Sequence, residues 1–148
     1  EDPAIGYARF QGYKAALEEA GLKVEDELVR IGNYRYESGA ETAKYFLELD
    51  PRPTAIFAAN DEMAIGAIHA IQDAGLKVPD DISVIGLDNS RIASMVRPQL
   101  TTVAQPMYDI GAVAMRLLTK LMNKETVQNE RVILQHELIT RQSVAHLA

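Results

Sequence analysis

Residues 54–75 have the sequence TAIFAANDEMAIGAIHAIQDAG, which predicts a buried strand followed directly by a helix. The apolar run 54–59 is typical of a strand that is buried on both faces of a parallel sheet. Asn60 is a preferred helix N-cap, and the residues after it are apolar at helical spacing until Gly75 ends the pattern. A strand that leads straight into a helix is the repeating unit of α/β sheets.

The segments on either side continue this alternation of strands and helices. The patterns predict helices over residues 3–20, 36–49, 61–74 and 106–123, and further strands over residues 28–31, 82–87, 100–104 and 131–139. The order α-β-α-β-α-β-β-α-β predicts an α/β fold with an open, mostly parallel sheet flanked by helices. With 148 residues, the chain is long enough for one such domain.

Composition and charge restrict the class of function. The net charge of −6 repels phosphate backbones, so any action on DNA is expected to need a segment outside these residues. The absence of cysteine excludes disulfides, thiol nucleophiles and zinc sites with sulfur ligands. No signal peptide pattern and no apolar run long enough for a bilayer is present, so we expect a cytoplasmic protein without membrane contact.

Catalytic signatures are missing from the sequence. It contains no Gly-x-Gly-x-x-Gly, phosphate loop, Gly-x-Ser-x-Gly or His-Glu-x-x-His motif. His69, His136 and His146 lie far apart in the sequence, and we assign no role to them. The sequence therefore predicts a protein that is not an enzyme and that has neither a cofactor nor a metal site.

Three polar residues follow the predicted strands. Tyr34, Asn60 and Asp88 each come just after a strand, and ligands of open α/β sheets bind beyond the carboxyl ends of the strands. A tyrosine ring, an amide and a carboxylate suit the recognition of a polyol such as a sugar. The pattern also allows structural roles, because Asn60 suits a helix cap, Asp88 a turn and Tyr34 an ordinary half-buried aromatic position.

The last predicted helix has two different faces. One is a core stripe formed by Met107, Ile110, Ala114, Leu117, Leu118, Leu121 and Met122. The other combines charged residues with apolar ones: Tyr108, Asp109, Val113, Arg116 and Lys120. An arginine and a lysine one turn apart can bind a phosphorylated side chain, whereas a plain charged face would only be solvated. Both interpretations of this second face fit the pattern.

Several motifs together resemble the effector-binding domain of LacI/GalR transcription regulators. They are NDEMAIGA at residues 60–67, VPDDISVIGLDN at 78–89, RPQLTTV at 97–103 and LITRQS at 138–143. The resemblance covers essentially the whole chain, but only the C-terminal half of such a regulator. It implies a type I periplasmic-binding-protein-like fold with two subdomains and an effector between them.

The resemblance also implies a division of the chain and a set of binding residues. Residues 1–104 would form the C-terminal subdomain, residues 105–128 a helix of the other, mostly absent subdomain, and residues 129–148 a return to the first subdomain and a tail. The family's effector contacts correspond to Arg9, Tyr34, Asn60, Asp88 and Gln105. The family further implies a homodimer that binds DNA only through a helix-turn-helix outside this chain.

Residues 108–120 and 122–125 are similar to the branch of that family concerned with carbon catabolite control. In that branch the last helix docks serine-phosphorylated HPr, which implies a contact surface of Tyr108, Asp109, Val113, Arg116 and Lys120. We therefore expect a domain that senses a sugar or sugar phosphate together with HPr. The alternative is a transport-linked sugar-binding protein of the same fold.

Overall fold

The computed structural model describes residues 3–127, 129 and 131–146. Its helices are α1 (Pro3–Glu19), α2 (Tyr36–Leu47), α3 (Asp61–Asp73) and α4 (Met107–Met122), and its strands are β1 (Ala55–Phe57), β2 (Ser83–Asp88), β3 (Thr101–Ala104) and β4 (Glu137–Ile139). Short 3-10 helices span Asp26–Leu28 and Arg91–Ser94. All four predicted helices are confirmed, as are the strands predicted over residues 54–59, 82–87 and 100–104. Of the strand predicted over residues 131–139, only Glu137–Ile139 forms. Residue 128, where the segment assigned to the other subdomain (residues 105–128) is predicted to end, lies outside the described residues.

The four strands form one sheet in the order β1-β2-β3-β4. β1 pairs with β2 and β2 with β3 in parallel, whereas β4 runs antiparallel to β3. The mostly parallel sheet is thus confirmed. Its parallel strands bring their carboxyl ends to the same edge, where the chain leaves β1 for α3, β2 for the Asp88 loop and β3 for α4.

The strand predicted over residues 28–31 is wrong. Val29 has an extended backbone, with φ −113° and ψ 125°, but this segment pairs with no strand of the described chain. A cavity of about 700 Å³ separates it from β1, and Ile31 is 98% exposed. An extended apolar sequence favours a strand, but a strand forms only when it is hydrogen-bonded to a neighbour, and β1 pairs only with β2 in the described residues.

β1 is also less enclosed than predicted. Only Ile56 is buried in it, while Phe57 is 40% exposed. The Phe57 ring stacks on Tyr13 of α1, with the ring centroids 6.2 Å apart and the planes 1° from parallel. This stacking ties α1 to the sheet at the free edge of β1.

The core lies between α2, α3 and the sheet. Its fully buried side chains include Ile68, Ile71, Ile82, Val84 and Leu100. α2 and α3 approach each other through glycine, since a Cβ atom at Gly39 would lie 2.1 Å from the carbonyl oxygen of Met63, and one at Gly66 2.1 Å from that of Tyr36. No other residue fits at these two positions without moving the helices apart.

α4 is exposed on almost every side. Within the described chain only Val113 and Leu117 of this helix are half-buried. The predicted core stripe is largely open to solvent, with Met107 62% and Met122 74% exposed. None of the helices in the described residues combines the length and hydropathy that a bilayer crossing requires.

Candidate effector site

The structure brings the five predicted effector residues together at the carboxyl edge of the sheet. Arg9 projects from α1, Tyr34 lies just before α2, Asn60 is the N-cap of α3, Asp88 ends β2 and Gln105 follows β3. All five are half-buried. Polar side chains from five separate parts of the chain thus meet where ligands of open α/β sheets bind.

Arg9 lies at the centre of this cluster. Its Nη1 donates to the backbone oxygen of Ala59 at 2.5 Å, and its Nη2 lies 3.5 Å from Oδ1 of Asp88. The guanidinium carbon is 5.7 Å from the centroid of the Tyr34 ring, within the range of a cation–π contact. The guanidinium group therefore connects the end of β1, the end of β2 and the aromatic ring.

Asp88 connects the cluster to the segment that leads into α4. Gln105 Nε2 donates to Oδ1 of Asp88 at 2.6 Å. Burial raises the pKa of the Asp88 carboxyl above its ordinary value, although Arg9 and the Gln105 hydrogen bond act to lower it and the nearby Asp61 charge to raise it further. The carboxyl is thus held in a partly desolvated position beside a cation.

Asn60 performs the structural role that its sequence allows. Its Oδ1 accepts from the backbone N–H of Met63 at 3.0 Å, so the side chain caps α3. Its Nδ2 donates to the backbone oxygen of Tyr34 at 3.0 Å. The cap role is confirmed, and the same amide holds the Tyr34 loop against the start of α3.

Tyr34 has a left-handed backbone, with φ 64°. Its hydroxyl lies so close to α1 that a Cβ atom at Gly6 would be 2.8 Å away. The 700 Å³ cavity begins beside this residue and is lined by Arg9 and Tyr34 at the site, but otherwise mainly by apolar side chains such as Phe10, Phe46 and Ile56. Asn60, Asp88 and Gln105 do not line that cavity. The polar cluster is therefore a separate surface at its margin.

The predicted partner residues lie elsewhere, on α4. Tyr108 is 87% exposed, and Asp109, Arg116 and Lys120 are also exposed. Val113 is half-buried and therefore less accessible than a contact residue was expected to be.

Sequence reasoning missed one residue near the site. Asp61 directly follows the cap of α3, where an acidic residue ordinarily only complements the positive end of the helix dipole, but it is only 1% exposed. Its carboxylate accepts hydrogen bonds from Ser90 and Thr102, on either side of the Asp88 loop. In the sequence, the signal was an acidic residue directly after an N-cap.

In the part of the chain that the structure describes, no group of three potential ligand side chains is placed to hold a metal ion.

The fold and the polar cluster together define a ligand-binding domain of α/β type, and comparison with known proteins specifies the family. The family model of the periplasmic binding protein-like domain matches residues 1–144, and the chain belongs to this family. It is 57% identical to catabolite control protein A of Priestia megaterium over 143 residues, which are 97% of this chain and 43% of that protein. The resemblance to LacI/GalR regulators is therefore confirmed.

Solved structures agree with this assignment. The transcription regulator CcpA of Lactococcus lactis superposes with a TM-score of 0.88 and 43% identity, covering 95% of this chain and 51% of that chain. A LacI family transcriptional regulator from Lactobacillus casei with bound sucrose superposes with a TM-score of 0.83 and 32% identity, covering 94% of this chain and 51% of that chain. The chain thus spans about half the length of the proteins it matches.

Proposed function

We propose that this chain is the effector-sensing part of a LacI/GalR-type transcription regulator of carbon catabolite control. In this proposal Arg9, Tyr34, Asn60, Asp88 and Gln105 bind a sugar or sugar phosphate. The observation that supports it most is the contact of Asp88 with both Arg9 and Gln105, because it joins three distant parts of the chain at the ligand-binding edge of the sheet. The relatives named above are transcription regulators, which favours this function over a transport-linked binding protein.

The chemistry of the cluster suits a polyol. Both contacts of Asp88 use Oδ1, so among the described residues Oδ2 is left to accept from ligand hydroxyls. Arg9 supplies a cation for a phosphate ester, and the Tyr34 ring offers an apolar face for the C–H side of a sugar ring. Both Nδ2 and Oδ1 of Asn60 form hydrogen bonds within the protein, which fix the segment at Tyr34. The second lone pair of Oδ1 can still accept a hydrogen bond from the ligand.

The proposal assigns α4 to a second subdomain, with residues 1–104 and 129–148 in the first. The exposed apolar stripe of α4 supports this assignment, since large exposed apolar faces usually pack against another element. Gln105, which precedes α4, would then lie where the chain crosses between the subdomains. Its hydrogen bond to Asp88 would couple ligand binding to the position of the second subdomain. A ligand that binds the closed arrangement better shifts the population toward it.

In a homodimer, this closure would reposition DNA-binding segments that lie outside the 148 residues. The site of action would be the cytoplasm, where a regulator meets both DNA and metabolites.

The proposed function predicts that a sugar or sugar phosphate changes DNA binding by the full-length gene product. We expect calorimetric binding of at least one of sucrose, glucose or glucose 6-phosphate, and an altered affinity for operator DNA in fluorescence anisotropy when that ligand is present. By thermodynamic linkage, the factor by which the ligand changes the affinity for DNA equals the factor by which DNA changes the affinity for the ligand. A protein that binds DNA with the same affinity in the presence of saturating ligand would contradict the sensor role.

The exposed charged face of α4 is the proposed contact surface for serine-phosphorylated HPr. Arg116 and Lys120 lie one helical turn apart, so both can approach the same phosphate group. Tyr108 adds a large exposed aromatic surface beside them. Tyrosine and arginine are both enriched at protein interfaces.

Reversing the charge of Arg116 should therefore disrupt this contact. We expect the Arg116→Glu variant to bind serine-phosphorylated HPr about 10- to 100-fold more weakly, since hydrogen bonds to charged groups contribute about 1.5–3 kcal/mol. Titration calorimetry with the full-length gene product measures the affinity. Lys44→Glu, at an exposed position of α2, is the matched control and should bind normally. Equal affinity in both variants would show that α4 is not the docking surface.

A further inference from the structure

Asp61 is the most deeply buried acidic residue described, with an exposure of 1%. It is the first residue of α3, and both of its carboxylate oxygens accept hydrogen bonds. Oδ2 accepts from the backbone N–H of Ser90 at 2.6 Å and from Ser90 Oγ at 2.8 Å, and Oδ1 accepts from Thr102 Oγ1 at 2.5 Å. One carboxylate thus connects the start of α3 with the loop after β2 and with β3.

The loop that Asp61 holds has an unusual backbone. Asp88 has φ 123° and Asn89 has φ 54°, which are left-handed conformations that residues other than glycine rarely adopt. Such conformations persist only when the surrounding structure enforces them. The backbone N–H of Asn89 donates to Thr102 Oγ1 at 3.3 Å, whereas that of Ser90 donates to Asp61 at 2.6 Å. The shorter hydrogen bond of this loop is therefore the one to Asp61.

A second anchor holds the outer side of the loop. Arg141 Nη2 donates to Asn89 Oδ1 at 2.6 Å, and Nη1 of the same residue donates to the backbone oxygen of Leu100 at 2.7 Å. Arg141 is half-buried, whereas Asp61 is enclosed. The inner anchor is therefore the one that solvent cannot replace.

The sheet is shaped to admit this carboxylate. A Cβ atom at Gly86 would lie 2.5 Å from Oδ1 of Asp61, so β2 passes too close for any side chain at that position. Burying a carboxylate is unfavourable unless its oxygens are hydrogen-bonded, and three donors meet this requirement. A simple helix-terminal charge would need neither the enclosure nor the donors.

We propose that Asp61 is a positioning residue of the effector site, which fixes residues 88–90, with their left-handed backbone at 88 and 89, so that Asp88 faces Arg9 and Gln105. This role rests on the proposed function of Asp88 as an effector contact. Asp61 itself does not touch the ligand in this proposal. It acts through Ser90 and Thr102 on the conformation of the residue that does.

Hydrogen–deuterium exchange of the full-length gene product tests the restraint without any ligand. Asp61→Ala should increase exchange in peptides covering residues 86–92 by tenfold or more. Glu62→Ala, which removes the neighbouring carboxylate from the same helical turn, should leave those peptides unchanged. If Asp61→Ala does not fold, Ser90→Ala decides the matter, because it removes one donor at an exposed residue and should raise exchange there several-fold. Unchanged exchange would overturn the proposal.

Ligand affinity distinguishes positioning from general stability. With sucrose and glucose 6-phosphate as probes, Asp61→Ala should weaken binding about tenfold in the wild-type background but cause no further loss in an Asp88→Asn background. Equal losses in both backgrounds would mean that Asp61 does not act through Asp88, and would overturn the positioning role. If the wild-type protein binds neither probe, the proposed function fails for these ligands, and the exchange result alone supports or overturns the restraint of the loop.

Discussion

Replacing Gly66 with alanine is expected to destabilise the domain by about 1–3 kcal/mol, the usual range for overpacking a close-packed interior. The added methyl group would lie 2.1 Å from the carbonyl oxygen of Tyr36 and 2.9 Å from the backbone nitrogen of Ala40. Both are backbone atoms, so α2 and α3 must separate to make room, and they form the centre of the core. The midpoint of thermal unfolding of the full-length gene product measures the effect.

Gly12 provides the matched control for this substitution. It also lies inside a helix, α1, but a Cβ atom there would meet no other atom within 4 Å. Alanine at position 12 should therefore stabilise the helix by about 0.5–1 kcal/mol, because glycine loses more conformational freedom than alanine on folding. The same chemical change should thus shift the unfolding midpoint in opposite directions at the two positions. A stabilising Gly66→Ala would show that α2 and α3 are less closely packed than described.

Sequence periodicity predicted the helices because the information it uses is local. α3 shows this most clearly, since its cap, its apolar positions and the glycine that follows it all lie within residues 60–75. A strand is different, because it exists only when another part of the chain pairs with it. Residues 28–31 have the composition and the extended backbone of a strand, but they face a cavity instead of a neighbour.

The candidate site was predictable in part. Asn60 and Asp88 follow from a topological rule, because parallel strands bring their ends to one edge. Tyr34 was predicted by the same rule from a strand that does not form, and the hydrogen bond from Asn60 to its backbone oxygen holds it at the site. Arg9 and Gln105 lie in a helix and in a connecting segment whose approach to Asp88 no local pattern indicates, and only family resemblance pointed to them. Their hydrogen bonds and charges define the cluster as much as the strand ends do.

Asp61 shows why a local interpretation can be too simple. Its position after an N-cap favours a role at the helix terminus, which needs no other element. Its burial depends on Gly86, Ser90 and Thr102, which are 25 or more residues away in the sequence. α4 shows the converse, since only Leu117 of its predicted core stripe is half-buried in the described residues and the rest of the stripe is exposed.

The Asp88→Asn substitution is expected to weaken effector binding by about 10- to 100-fold, which corresponds to the 1.5–3 kcal/mol of hydrogen bonds to a charged group. Asparagine keeps an oxygen that can accept from Gln105 but removes the negative charge that attracts Arg9 and accepts ligand hydroxyls. Calorimetry with whichever of sucrose, glucose and glucose 6-phosphate binds the wild-type protein measures the change. Asp73→Asn, at an exposed position of α3, is the control and should bind like the wild type.

The pH dependence separates loss of binding from loss of folding, because the two effects have opposite signs. The folded state raises the pKa of Asp88, so it holds the proton more tightly than the unfolded state does, and ionisation of Asp88 lowers stability as pH rises between the ordinary and the raised pKa. Effector affinity should instead rise with pH over the same window, since the carboxylate is the better acceptor. The Asp88→Asn substitution should remove the contribution of Asp88 to both slopes while leaving the protein folded at neutral pH. An effector affinity that keeps the wild-type pH dependence in the Asp88→Asn variant would assign the titrating group, and the ligand contact, to another residue.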